Sequence, residues 1–401
     1  MRSSPNQLLA RVSVAHLISH LYIMTVPAML PLLPGAMQVS FLELGVAIGV
    51  FNIVSALVQA PLGFLVDRLG AKRMLMAALA LGSASFGLVA LLPSYFWLLV
   101  AMGLAGLANG VYHPADYSLL SRGMPSERMG RAFSVHTFAG FLGGALAPPL
   151  MVGVALAWDP RWSFAIAALA GGMALVFVAT GSALQASEKS VGVGSIKSGS
   201  AQARPLSTPI ATLALLTLLF TMLSLSTGAI ERFSVSALVQ GFDVALPAAN
   251  LALTSFLFAS AFGVLAGGVL ADKTERHGDV AALAFALAAV LVVMVIMVSL
   301  PPLLLAMVLA LAGFLTGMVA PSRDMLVRAA SPEGAEGRTF GIVSTGFNFG
   351  GVIGPVLFGF LLDWGLASGV LWSAVGFMVI TTFIVLYQER RQRVRAAVSA
   401  G

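Results

Sequence analysis

Twelve apolar runs, each long enough to cross a bilayer, leave this chain few ways to fold. A helix needs about 20 apolar residues to span roughly 30 Å of hydrocarbon. Read between charged or Pro/Gly-rich breaks, the runs fall at 9–34, 43–66, 72–94, 97–121, 130–156, 161–184, 209–233, 246–271, 279–299, 303–329, 338–362 and 367–388. In hydrocarbon every backbone N–H and C=O must be paired internally, so such runs become helices. Composition agrees: 9% of the 401 residues are charged and 59% are hydrophobic, against roughly 25% charged in a soluble domain. So few charges cannot cover a water-exposed surface of this size. The expected fold class is an all-α integral membrane protein, a bundle of twelve transmembrane helices with short connections. No cleavable signal peptide is expected, because the first run continues into a full span without an A-x-A-like exit. Cysteine is absent, which excludes disulfides and thiolate metal sites.

The placement of charge sets the expected topology. With an even number of spans both termini share one side. The loops on that side hold Arg68, Lys72, Arg73, Arg122, Arg128, Arg131, Lys273, Arg276, Arg328 and Arg338, and the ends add Arg2, Arg11 and the tail "ERRQRVR". Only Arg161 and Arg232 fall on the other side. The positive-inside rule then puts both termini in the cytoplasm. The net charge of +6 is thus topological and does not call for nucleic acid. The tail is also placed to meet anionic headgroups of the lipid bilayer.

Residues 184–208 are rich in Ser, Gly and Lys without an apolar face, and read as a cytoplasmic linker. They divide the chain into an N-terminal six-helix half, 1–183, and a C-terminal six-helix half, 209–401. The halves are repeats. "GLANGVYHPADYSLLSRGMPSERMGRAFSVHTFAGFLGGALAPPL" begins at Gly106, and "GFLTGMVAPSRDMLVRAASPEGAEGRTFGIVSTGFNFGGVIGPVL" begins at Gly313. At an offset of 207, without a gap, Gly106, Gly110, Pro114, Arg131, Gly143 and Pro148 meet Gly313, Gly317, Pro321, Arg338, Gly350 and Pro355. Earlier, "GFLVDRLGAKR" at Gly63 meets "GVLADKTERHG" at Gly268. A parallel repeat of this kind is an architecture of secondary transporters, with the solute site at the repeat interface.

Six plus six spans with Gly-x-x-x-Asp-Arg/Lys after spans 2 and 8 resemble the major facilitator superfamily of secondary transporters. Gly63, Asp67, Arg68, Gly70 and Arg73 match the family pattern, whereas the second copy is degraded after Asp272 and Lys273. "AHLISHLYIMTVPAMLPLLP" in span 1 and "YHP" in span 4 resemble the fosmidomycin-resistance branch of exporters. The resemblance implies a cytoplasmic latch that closes and opens during alternating access. Its expected members are Gly63, Asp67, Arg68, Arg73, Asp116, Arg131, Asp272, Asp324 and Arg338. Asp67 is expected at the N-terminus of span 11, where orphan N–H groups favour an anion. Arg68 and Arg73 are expected to pair with Asp116 or Glu127, and Asp116 is also expected to pair with its repeat equivalent Arg323. "APP" at 147–149 and Gly354–Pro355 resemble the antiporter Gly-Pro motif, with Ala147 where Gly belongs. Drug–proton antiporters of the family carry an arginine in span 4, four residues before a glycine. Met102 stands there, before Gly106.

Ionisable groups inside spans are functional candidates by default. His16 and His20 lie on span 1, His113 on span 4 and His136 on span 5. At 1.5 Å per residue they sit roughly 10, 16, 12 and 9 Å from the cytoplasmic ends of those spans. Such histidines can carry a coupling proton or touch substrate. They can also hydrogen-bond neighbouring helices, or bind a metal where two or three converge with a carboxylate. With Tyr112, Asn52, Asn109 and Arg323 they form the expected substrate and proton cleft. No resident metal or cofactor is assigned. No carboxylate is expected near the midplane of spans 1 or 4, which favours a neutral, amphipathic or anionic solute. Arg323 is a candidate bidentate donor to an anion. No Walker motif is present, so ATP does not drive the protein. No nucleophile–base constellation is present either, and enzymatic activity is not expected.

The expected function is secondary active transport of a small organic solute, as proton-coupled efflux from a bacterial inner membrane, by a monomer. Two alternatives are proton-coupled uptake of a small organic anion and a membrane sensor that binds without transport.

Overall fold

The structure, a computed structural model, describes residues 5–125, 128–180, 209–271, 273–274, 276–331 and 336–400. Side chains at 130, 336–338, 340, 392 and 395–400 fall outside that description. Among the described residues, twelve helices are long and apolar enough to cross a membrane. They are α1 (Pro5–Met29), α2 (Phe41–Leu69), α3 (Ala71–Leu91), α4 (Tyr95–Gly123), α5 (Met129–Ala157), α6 (Pro160–Ala179), α7 (Ile210–Gly241), α8 (Leu246–Ala271), α9 (His277–Met297), α10 (Pro302–Ala330), α11 (Glu336–Asp363) and α12 (Ala367–Ala400). The expected linker, 184–208, lies outside the described residues.

Helix ends differ from the sequence reading, most at the last, where the span expected to end at 388 continues in α12 to Ala400; two others have local reasons. The first span was expected to reach residue 34, yet α1 stops at Met29 and a separate turn of helix covers Leu33–Met37. Pro31 and Pro34 lack the N–H that a continuing helix would use. The seventh span was expected to end at 233, yet α7 runs on to Gly241. Glu231 and Arg232 sit inside the helix, because charged side chains leave the backbone hydrogen bonds intact. The start of α2 carries a capping box. Ser40 Oγ accepts from the Glu43 N–H at 3.0 Å, and Glu43 accepts from the Ser40 N–H at 2.7 Å.

The chain forms two compact units, Met1–Ser198 and Gly199–Gly401. In the first, α1 packs on α5 and α6, α2 on α4, and α3 on α4 and α6. In the second, α7 packs on α11 and α12, α8 on α10, and α9 on α10 and α12. The same pairings recur, as the sequence repeat requires. Tight approach depends on the repeated glycines. A Cβ on Gly143 would lie 2.0 Å from the Leu17 carbonyl oxygen of α1, and one on its repeat equivalent Gly350 would lie 2.4 Å from Ser224 Cβ and 2.9 Å from the Thr221 carbonyl oxygen of α7. Lipid tails give helices no hydrophobic reason to associate, so backbone approach and dispersion must hold them together. Large apolar side chains such as Phe64, Leu169 and Val290 stay on the outside, where hydrocarbon solvates them.

Polar ties close one end of each unit. Lys72 Nζ, at the start of α3, donates to the Ala179 carbonyl at the end of α6 at 3.2 Å. In the second unit, the buried Glu389 carboxylate of α12 accepts from the Gly278 N–H at the start of α9 at 2.9 Å. Arg393 donates to Glu389 at 3.1 Å and pairs with Asp279. A carboxylate on orphan N–H groups at a helix N-terminus is the favourable polarity.

Candidate functional site

Inside the first unit, α1, α4 and α5 bring four histidines and one aspartate together. His16 of α1 stacks on His136 of α5 with centroids 3.8 Å apart. His20 packs edge-on to His16 at 4.7 Å, and His113 of α4 does so at 5.3 Å. One ring nitrogen from each of His16, His113 and His136 lies within 4.8 Å of the other two. Asp116 Oδ2 is 3.4 Å from His16 Nδ1 and 3.8 Å from His136 Nε2.

Helical spacing accounts for the convergence. His113 and Asp116, three apart on α4, share one face, as do His16 and His20, four apart on α1. Gly140 of α5 clears the space they need. A Cβ there would sit 2.7 Å from His16 Nε2 and 3.0 Å from His20 Cδ2. Gly143, one turn on, draws α1 onto α5.

The centre of the cluster is buried and under-satisfied, with His20 and His113 half-buried at its edge. Asp116 is 0% exposed, His136 1% and His16 4%. Both Asp116 oxygens, Nδ1 of His16, His113 and His136, and the Tyr112 hydroxyl have no hydrogen-bond partner among the described residues. Unpaired polar atoms in a low-dielectric interior each cost about 1–3 kcal/mol, more for a charge. A carboxylate this deep must meet a cation or hold a proton.

Asp116 is therefore relocated. It was expected in the cytoplasmic latch, paired with Arg68, Arg73 or Arg323. It points instead into the histidines, because it lies one turn from His113 on the same face. Asp116 lies roughly 10 Å from the end of α4, deeper than a surface latch but short of the midplane, where no carboxylate was expected. Arg323 pairs with its neighbour Asp324 at 2.8 Å, its guanidinium 5.0 Å from the ring centroids of both Phe220 and Phe347. Tyr112 is buried on α4, four residues before Asp116. Asn109 Nδ2 donates to Ser55 Oγ at 2.8 Å, joining α4 to α2. Asn52 donates to the Ile48 carbonyl at 2.9 Å within α2. Tyr117 and Gly140 were missed. Tyr117 stacks on His113 at 5.8 Å and lies 5.9 Å from His136. Spacing could have found Tyr117, four residues from His113 on α4; Gly140 needed the packing of α1 against α5.

Of the latch residues, Asp67 pairs with Arg122 at 3.4 Å, an ion pair from α2 to α4 that the sequence reading did not name. Gly63 lies on the same contact, 3.9 Å from Pro114 once a Cβ is added. Arg68, Arg73 and Arg131 are exposed. Asp272 and Glu127 lie outside the described residues, as does the side chain of Arg338. Asp67 is 67% exposed and Arg122 27%, so the pair is worth at most about 1 kcal/mol to the fold. Asp67→Asn is therefore expected to leave the thermal midpoint of detergent-purified protein unchanged while slowing transport severalfold. A midpoint that falls in step with the rate would make the pair a structural brace.

Comparison with known proteins places these features. The family model described as Major Facilitator Superfamily matches residues 12–237 and 215–400. The fosmidomycin resistance protein of Escherichia coli (strain K12) is 26% identical over 269 residues, 67% of this chain and just under two thirds (66%) of that protein. The multi-drug resistance efflux pump PmrA of Streptococcus pneumoniae is 26% identical over 327 residues, 80% of this chain and 79% of that one. Among solved structures, a bacterial homologue of the human lysosomal transporter Spinster superposes with a TM-score of 0.76 at 14% identity. That match covers 97% of this chain and 98% of the other.

Proposed function

Because the chain belongs to the major facilitator superfamily, a family of transporters, we propose that it exports a small organic compound by alternating access, driven by protons. The buried Asp116–histidine cluster carries this reading. A carboxylate and imidazoles at ion-pairing distance, sealed from solvent, can take up and release a proton without leaving a bare charge in the bilayer. Export is supported by relatives whose names are those of resistance proteins and efflux pumps. The asymmetry of Lys and Arg supports a bacterial plasma membrane orientation with both termini inside. Asp116 faces imidazoles, so it is not left free to receive an organic cation. A neutral or anionic solute fits better.

Purified protein in liposomes tests the proposal. An imposed pH gradient should drive solute uphill, and collapsing the gradient should stop it. His113→Gln should weaken pH-driven flux by about tenfold, less than the roughly 100-fold or more for a sole proton-transfer group, because neighbouring imidazoles remain. Flux that ignores the gradient would remove proton coupling. Ligand binding without flux would make the protein a sensor. Uptake and export are separated by the sign of the flux. Arg323, whose guanidinium lies 5.0 Å from the rings of both Phe220 and Phe347, is the feature that favours anion uptake if the sign is inward.

A further inference from the structure

We propose that His16, His113 and His136 form a binding site for one divalent transition-metal ion of the zinc class, with Asp116 supplying the compensating negative charge. This goes beyond the transport reading and does not depend on it. The three imidazoles come from three helices, α1, α4 and α5. Each already offers a ring nitrogen within 4.8 Å of the others. Zinc with nitrogen ligands at about 2.0–2.1 Å in a tetrahedron needs those nitrogens roughly 3.4 Å apart. The stacked His16 and His136 rings, 3.8 Å apart, must swing open so that a nitrogen of each points at one ion.

The donor set selects the metal. Imidazole nitrogen suits zinc, cobalt, nickel and copper, whereas magnesium and calcium demand oxygen ligands. No thiolate is available anywhere in the chain. Three protein ligands leave the fourth tetrahedral position open to water or to a solute atom. Asp116 stands where a carboxylate does its usual work beside a metal-bound histidine. Its Oδ2, 3.4 Å from His16 Nδ1 and 3.8 Å from His136 Nε2, can orient both rings. The same oxygens have no hydrogen-bond partner among the described residues, and neither do Nδ1 of the three histidines. An ion would take one nitrogen of each ring, and the nitrogens of His16 and His136 that face Asp116 would stay with the carboxylate. The bare glycine face at Gly140 keeps the space around His16 clear.

The repeat sharpens the assignment. The positions equivalent to His113, Asp116 and His136 in the second unit are Ala320, Arg323 and Val343. None of these can hold a cation. The scaffold is therefore duplicated while the donor set is not, so the helix packing does not by itself demand these side chains.

The experiment uses the full chain, purified on a tag without histidine and stripped with a chelator. Zinc chloride is titrated by calorimetry, and cobalt chloride is followed through its visible d–d bands, which are intense for tetrahedral coordination. One ion per chain is expected, with a raised thermal midpoint on binding. Asp116→Asn should weaken affinity about 10–100-fold, the usual effect of losing a carboxylate behind a metal-bound histidine. His136→Gln and His113→Gln should weaken it at least as much. His277→Gln, which alters the one histidine outside the cluster, should leave binding intact. The metal-free midpoint of each variant reports whether it is folded; should one fail, the remaining cluster variants carry the test. Non-saturable binding, binding that survives His136→Gln in folded protein, or binding lost with His277→Gln would each overturn the site. Flux without metal binding would overturn the site and leave the transport reading standing. Metal binding without flux would do the reverse.

Discussion

Asp116→Asn should abolish pH-driven accumulation of solute while sparing solute exchange. The carboxylate is fully buried and touches two imidazoles at 3.4 and 3.8 Å. Asparagine has nearly the same shape, so packing survives, but it can neither hold a negative charge nor accept a proton. The driven rate should fall about 100-fold, the lower bound for losing a positioned proton-transfer group that has no substitute. Counterflow, which needs no net proton movement, should continue near the wild-type rate. Stability gives the control. Breaking a buried ion pair is costly, about 3–5 kcal/mol, when the stranded partner keeps its charge. An imidazole can shed its proton, so that penalty does not arise here. Removing the buried carboxylate also removes its own desolvation penalty. The thermal midpoint should hold or rise. The measurement belongs in chelated buffer, so that no metal sits on the histidines. Loss of exchange together with a lower midpoint would make Asp116 a scaffold residue, and intact pH-driven flux would end its coupling role.

The fold could be read from the sequence because bilayer physics leaves one solution for a twenty-residue apolar run. The gapless repeat did the rest, since glycines spaced at 106, 110 and 143 recur at 313, 317 and 350. The histidines could be read too, because depth along a helix is a one-dimensional quantity and three of them share it. Asp116 was misplaced because depth was used without azimuth. It is three residues from His113, and that spacing already puts both on one face of α4. Other features needed the third dimension. Arg122 becomes the partner of Asp67 only through the approach of α2 to α4. The length of α7 past Glu231 and Arg232 could not be read from hydropathy, because two adjacent opposite charges resemble a helix end. The role of Gly140 depends on which ring of α1 lies opposite, and no pattern in α5 says so.

Three glycines of α5, at 140, 143 and 144, should respond to alanine in three different ways. Gly143→Ala places a Cβ 2.0 Å from the Leu17 carbonyl oxygen, a backbone atom of α1 that cannot rotate aside. The helices must separate, and overpacking of this sort costs about 1–3 kcal/mol or more. Alanine gains up to about 1 kcal/mol over glycine in helix propensity, too little to offset that. The thermal midpoint should drop and less protein should elute as a monodisperse peak. Gly144→Ala meets only Met24 Cγ, at 3.7 Å, an ordinary contact, so propensity wins and stability should hold or rise. Gly140→Ala is the informative case. Its Cβ meets the His16 ring at 2.7 Å, a side chain and not a backbone. The ring can turn, so the fold should survive with a midpoint between the other two. But turning His16 takes it off His136 and off Asp116, so driven transport and zinc affinity should fall together. A fully active Gly140→Ala variant would show that the close seating of His16 against α5 is packing without function, and equal midpoints for Gly140→Ala and Gly143→Ala would show that the α1–α5 seam yields as a unit.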